Sequence, residues 1–408
     1  MKHTALTGAA VALATTLLVA ACGPSPTTGS SVAGHGTTSG SPQASTGTTT
    51  GTHAGHGGPF KAPPPQPLRP SERFVDLKPP KPYTPAAPSG GTDEYRCFLL
   101  DPGLTGPAFL TGSQFLPQNT AIVHHAIIFQ IGPDKVQAAR DLDARTPGEG
   151  WTCFGDAGVQ DGAWVGHWAP GANETLFSQK VGYAMAAGSR LIMQVHYNLL
   201  ATDGKPGQSD RSGIRLRVAD GEKGYTPLQT ARLPAPVELP CASGESGPLC
   251  DRKAAVGDLT HRFGAQAEQT LGMRSEFCAK GAAVPPGPTQ HCDRPVPGPA
   301  TIYGVAGHMH LLGRSITIQL NPGKPGERTL LDIPVYNFDD QAIRPLPKPL
   351  AVKAGDTLRV TCTHDAGLRR MLPALQGLPP RYVVWGEGTS DEMCLGLLIW
   401  SPAGRSKG

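Results

Sequence analysis

From about Thr92 onward the chain is built of short apolar runs broken by glycine, proline, asparagine and aspartate. They include AIVHHAIIFQI (121–131), RLIMQVHYNLL (190–200), GIRLRV (213–218), RSITIQL (314–320), DTLRVTC (356–362) and MCLGLLIW (393–400). Each has strand length and is bounded by residues that favour turns. The periodicity shows no long amphipathic helix. This pattern predicts an all-β chain, most simply antiparallel sandwiches. A stretch from Glu238 to Pro297, rich in Gly, Pro and Cys, interrupts the strands and reads as an elaborated loop region. With a junction near Ala219 to Pro236, the expected division is one β-sandwich over 93–220 and a second over 221–408 that carries the insertion at 238–297.

Upstream the pattern changes. Lys2 gives a short positive start, Ala5 to Leu18 form an apolar run too short to span a membrane, and VAAC follows at Val19 to Cys22. This resembles a bacterial lipobox, in which Cys22 becomes the lipidated first residue of the mature protein. Residues 23–92 are Gly, Thr and Ser, then Pro, with almost no apolar side chains, and read as a disordered tether, flexible first and stiffer later. His35, His53 and His56 fall in it and read as polar filler. The 52 Gly and 42 Pro among 408 residues agree with a chain folded only in part. Assigning Cys22 to lipid leaves eight of nine cysteines to pair, and export permits disulfides. Gly23 is not an inner-membrane retention residue, so the expected location is the bacterial cell envelope, outside the cytoplasm, and the outer membrane where there are two. A net charge of +4 with scattered basic residues points away from nucleic acid as a partner.

Candidate chemistry lies in the histidines. His196, among apolar neighbours near a strand end, alone reads as a hydrogen-bonded core residue. His124 and His125 are adjacent. Successive strand side chains face opposite ways, so both rings reach one metal ion only where the strand bends or different ring nitrogens are used. His308 and His310, in GVAGHMHLLGRS, are two apart, which puts both imidazoles on one strand face with Met309 pointing away. Met393, in GTSDEMC, offers a soft thioether suited to Cu(I), yet reads by itself as core. No CxxC or HExxH spacing favours zinc. His167, in WVGHWAPG, reads as a loop histidine packed on aromatics, and His261, His291 and His364 have no partners at ligand spacing. Asp391 and Glu392 read as a solvated turn.

Taken in order, the HH of VHHAIIF, QVHY, the HxH of GHMHLLGRS and the closing GTSDEMC resemble the copper type II, ascorbate-dependent monooxygenases. The likeness runs from about Asp93 to Trp400, apart from the Cys-rich insertion. It implies two jelly-roll sandwiches, each holding one copper across a solvent-filled cleft. His124, His125 and His196 would bind an electron-donating copper, with Gln194 beside it. His308, His310 and Met393 would bind the copper that meets oxygen and a small-molecule substrate, with ascorbate or another one-electron reductant as co-substrate. Three imidazoles suit an ion that cycles between Cu(II) and Cu(I), and a thioether favours Cu(I). The resemblance also implies Cys97–Cys153 and Cys362–Cys394 bridges. The pairing of Cys241, Cys250, Cys278 and Cys292 stays open among three arrangements, with disulfides favoured over a four-thiolate zinc site.

The substrate positions depart from the family's amidating members. Ala306 stands where those enzymes carry a carboxylate-binding Arg, and Leu395 and Leu397 stand where they carry Asn and Tyr. The expected reaction is hydroxylation of a less polar or differently oriented substrate. The alternative is a lipoprotein that binds copper for storage or delivery without turnover; a third reading is a scaffold or adhesion sandwich in which the histidines bind nothing, favoured if His124, His125 and His196 lie far apart.

Overall fold

The computed structural model describes residues 62–88, 91–200, 207–221 and 224–403. The lipobox with Cys22 and the tether histidines lie outside them.

Ten strands form the first half: β1 (Glu72–Leu77), β2 (Asp93–Leu100), β3 (Ala108–Leu116), β4 (Val123–Ile131), β5 (Trp151–Thr152), β6 (Ala163–Trp168), β7 (Val181–Met185), β8 (Arg190–Asn198), β9 (Gly213–Asp220) and β10 (Thr226–Pro227). They make two five-stranded sheets, in the orders β1-β9-β3-β7-β10 and β5-β2-β8-β4-β6. Leu110, Phe115, Ile128, Met193 and Leu216 meet in one core. The central strand β8 is buried along nearly its whole length because its faces serve different clusters. Met193 enters that core, while Ile192 joins Cys97, Phe129 and Trp151 on the opposite face.

The second half holds β11 (Gln229–Pro234), β12 (Glu238–Leu239), β13 (Thr289–Pro295), β14 (Ala300–His308), β15 (Gly313–Leu320), β16 (Arg328–Ile333), β17 (Arg344–Val352), β18 (Thr357–His364), β19 (Val383–Val384) and β20 (Leu395–Pro402). Two four-stranded sheets, β11-β20-β14-β17 and β13-β18-β15-β16, share a core that includes Val305, Ile318, Val360 and Leu398. In β18 burial alternates residue by residue, as expected of a strand with one face on a core. Among the named strands pairing is antiparallel except between β10 and β7, and one isolated bridge, Trp385 to Glu392, is also parallel. The chain is all-β in class, and the six apolar runs each lie on a strand.

Two expectations need correction. The tether was expected to reach residue 92, but Glu72–Leu77 form β1, paired with β9 along all six residues. A buried ion pair pins it there: Arg217 Nη1 donates to Glu72 Oε2 at 2.9 Å. The insertion, expected as loop, is mainly helical. Helix α1 (Val136–Arg145) follows β4, while α2 (Arg252–Phe263) and α3 (Ala265–Ala279) fill the insertion. Asp251 caps α2 by accepting the Ala254 N–H at 2.9 Å, and Gly264, at φ 81°, breaks the two helices apart. Helix α2 buries Ala255, Val256, Leu259 and Phe263, whereas α3 buries only Leu271, so no apolar stripe marks α3 in sequence. Two single turns, α4 (Leu368–Met371) and α5 (Pro373–Gln376), precede β19.

Four disulfides close: Cys97–Cys153, Cys241–Cys250, Cys278–Cys292 and Cys362–Cys394. The second closes a short loop before α2, and the third ties the end of α3 to β13.

Candidate metal centre

His124, His125 and His196 converge, with one ring nitrogen from each within 4.8 Å of the others. A β-bulge makes this possible. Val123 pairs with Tyr197 and His125 with His196, so β4 takes two steps where β8 takes one, and His124 is the extra residue. The bulge brings adjacent side chains to one side of the sheet. His124 Nδ1 lies 3.0 Å from His196 Nδ1. On its other edge, His196 Nε2 lies 2.9 Å from Asp93 Oδ1. Burial alone would raise the Asp93 pKa, but His196 and the Thr389 donors outweigh it and keep the carboxyl below its ordinary 3.8. An ionised Asp93 therefore accepts the Nε2 proton and leaves Nδ1 of His196 as a lone pair facing the cluster. Tyr95 stacks on the His196 ring at 4.1 Å between centroids and fixes its plane.

His308 ends β14, and His310 lies just past it, their rings 5.2 Å apart. His308 Nδ1 donates to Gln341 Oε1 at 2.5 Å and His310 Nδ1 to the Asp391 carbonyl at 3.2 Å. Each Nε2 is left as a lone pair, and that of His310 is buried with no hydrogen-bond partner among the described residues. Glu392 ties this pair to Met393: its Oε2 accepts the backbone N–H groups of His310 at 2.9 Å and Met393 at 3.1 Å, and its Oε1 that of Leu312 at 2.6 Å. Asp391 and Glu392 are thus buried, not a solvated turn. Arg262 pairs with Asp391 at 2.6 Å, and His364 Nε2 lies 3.4 Å from Glu392 Oε2. His364, read from sequence as partnerless, packs behind Met393 in this way.

The two sets adjoin rather than face each other across open solvent. The His125 and His308 rings are 5.7 Å apart, and His124 packs on Phe338 at 4.7 Å. Hydrogen bonds clamp the halves here, from Tyr95 Oη to the Glu387 carbonyl at 2.6 Å and from Asn198 to Thr389 at 3.1 Å. Beside them is a cavity of about 420 Å³ lined by His125, His308, Met393 and Gln194. Gln194 donates to the Asp156 carbonyl at 2.8 Å, holding the loop after Cys153 against the site. His167 stands on β6, not in a turn; it faces the cavity and lies against Trp164. Ala306, Leu395 and Leu397 line the same cavity.

These imidazoles suit a metal. Burial, reinforced by His196, His124 and the second pair, holds His125 well below the ordinary histidine value. Burial and His310 push His308 down to about 3, against the opposing effect of the hydrogen bond His308 donates to Gln341. Burial lowers His196 despite Asp93. Neutral rings with lone pairs turned inward are the ligand form of histidine. Asp93 and Gln341, which orient these groups, carried no motif in the sequence, and Glu392, although inside GTSDEMC, read as a solvated turn; their roles arise from contacts between distant segments.

By fold and site, this is an all-β protein with two adjoining imidazole-rich centres, one of them beside a thioether. The description "Copper type II ascorbate-dependent monooxygenase, C-terminal domain" matches residues 289–406. Human dopamine beta-hydroxylase is 25% identical over 293 residues, which cover 70% of this chain and 39% of that protein. The chain is thus similar to the copper type II ascorbate-dependent monooxygenases, by the family model over residues 289–406 and by this relative over 293 residues. Among solved structures, the major capsid protein P2 of bacteriophage PM2 is 8% identical, covering 82% of this chain and all of that one (100%), at a TM-score of 0.28. The VP2 subviral particle of infectious bursal disease virus is 9% identical, covering 85% and 76%, at 0.20. Overlap at this level carries no argument.

Proposed function

We propose that this chain is a copper-dependent monooxygenase that hydroxylates a substrate C–H bond with molecular oxygen and a reductant such as ascorbate. In this reading His124, His125 and His196 hold one copper and His308, His310 and Met393 hold the other. The observation that carries it is the clustering of His124, His125 and His196, with His125 of that set, His308 of the other and Met393 lining one cavity large enough for a small molecule. Bound copper would supply the one-electron steps and the activation of oxygen.

The protein's own residues supply orientation. Asp93 and Tyr95 fix His196, Gln341 and the Asp391 carbonyl set the tautomers of His308 and His310, and Glu392 holds the backbone of both ligand segments. Ala306, Leu395 and Leu397 offer an apolar wall for the part of the substrate to be hydroxylated. Lipid anchoring through Cys22, outside the cytoplasm, belongs to the same proposal, and four disulfides suit that compartment.

Oxygen uptake by the copper-loaded protein with ascorbate tests this, using small aromatic and aliphatic substrates and Met393→Ala as control. Uptake that requires substrate and collapses in the variant supports the proposal. Two bound coppers with no substrate-dependent uptake would instead favour a copper-storing or copper-delivering lipoprotein.

A further inference from the structure

The cavity also receives three arginines, one each from β11, α3 and β13. Arg232 on β11 pairs with Leu397 on β20, and Leu397 pairs with Ala306 on β14. Residues on one rung share a sheet face, and strands lie about 4.8 Å apart, so Arg232 projects from the Ala306 face about 10 Å away. Helix α3 presents Gln266, Thr270 and Arg274, spaced by four, to the same cavity. That polar face explains why α3 lacks an apolar stripe.

The guanidinium groups are held in place, with donors to spare. Arg274 lies 3.8 Å over the Trp385 ring and Arg294 lies 4.3 Å over Phe277. Arg274 Nη1 and Arg294 Nε are buried and have no hydrogen-bond partner among the described residues. The indole Nε1 of Trp385, on the same wall, is in the same position. Buried N–H donors without acceptors are costly and rare. Burial pushes Arg274 down to about 10, Glu387 opposing this and Arg232 and Arg294 adding to it to a smaller extent. Two carboxylates share the wall, Glu387 and Asp156. Asp156 and Arg232 are exposed, and across the whole wall three arginines stand against these two carboxylates.

We propose that the substrate is an organic oxyanion, its carboxylate, sulfate or phosphate gripped by Arg232, Arg274 and Arg294 and its apolar body lying along Trp385, Leu395 and Leu397. Planar guanidinium forks match such groups bidentately, whereas an ammonium substrate would be repelled. The assignment rests on the copper-monooxygenase reading of this cavity.

The test is calorimetric binding to the full chain without reductant, with and without added Cu(II). The probes are 3-phenylpropanoate, phenyl phosphate, 3-phenylpropan-1-ol and 2-phenylethylamine. At least one anion should bind about tenfold or more tighter than the alcohol and the amine, Arg274→Gln or Arg294→Gln should erase the preference, and Arg274→Lys, which keeps the charge but not the fork, should retain only part of it. The exposed Arg232→Gln serves as a second variant should the others fold poorly. Equal binding of anion and amine, or selectivity unchanged in the variants, overturns the inference. Copper stoichiometry on the same samples separates the two readings: two coppers without anion selectivity sinks this inference alone, and anion selectivity without copper sinks the monooxygenase reading alone.

Discussion

The imidazoles of His125 and His308 stand edge to face with centroids 5.7 Å apart, although they belong to different pairs of sheets. In a protein loaded with Cu(II) at both sets, this proximity should broaden the electron paramagnetic resonance spectrum beyond the sum of the spectra of His125→Ala and His308→Ala. A spectrum equal to that sum would mean that the two ions do not sense each other.

Asp93 Oδ1 lies 2.9 Å from His196 Nε2 and accepts the Thr389 hydroxyl at 2.5 Å, so it orients a ligand and joins the two halves. Groups that orient metal-bound histidines typically contribute about 10- to 100-fold in metal affinity. Asp93→Asn should weaken the His124–His125–His196 set by that order in a chelator competition and leave the other set unchanged. Equal weakening of both would point to a global loss of structure.

Glu392 is the counterpart in the other set. Its carboxylate takes three backbone N–H groups, from His310, Leu312 and Met393. Glu392→Gln turns one acceptor into a donor facing buried donors, which should cost about 1–3 kcal/mol in stability. It should also remove the sulfur contribution from the X-ray absorption spectrum of the Cu(I)-loaded protein. Retention of that signal with a normal melting temperature would show that Glu392 does not hold the Met393 segment.

Stability should also report on β1. Burial would raise the Glu72 pKa, but hydrogen bonds from the Arg69 N–H, Thr111 and Arg217, and the Arg217 charge, outweigh it and keep it below the ordinary 4.5. A carboxyl with a lowered folded pKa contributes fully above its unfolded value and loses that contribution as pH falls through the folded one. Melting temperature should therefore fall below about pH 4.5, and Glu72→Gln should flatten that dependence at a cost of about 3 kcal/mol at neutral pH. An unchanged acid limb would place the titrating group elsewhere.

Much of the strand content was legible because short apolar runs bounded by turn-favouring residues are a purely local signal. The runs at 121–131 and 393–400 show it, and each forms a strand. β17 was not legible: Pro345, Pro347 and Pro349 break the signal, and only its place at a sheet edge lets it tolerate them. Helix α3 was missed because it faces a polar cavity and has no stripe to read.

The sequence by itself determined the all-β class and the order of the histidine and methionine segments, since each depends on residues close together in the chain. Only the tertiary structure decided how they meet. The bulge that turns His124 beside His125, the burial of Asp391 and Glu392, the grip of Asp93 on His196 and the gathering of Arg232, Arg274 and Arg294 all depend on contacts between segments far apart in sequence. Burial and charge pairing of that kind leave no periodicity in the residues that make them.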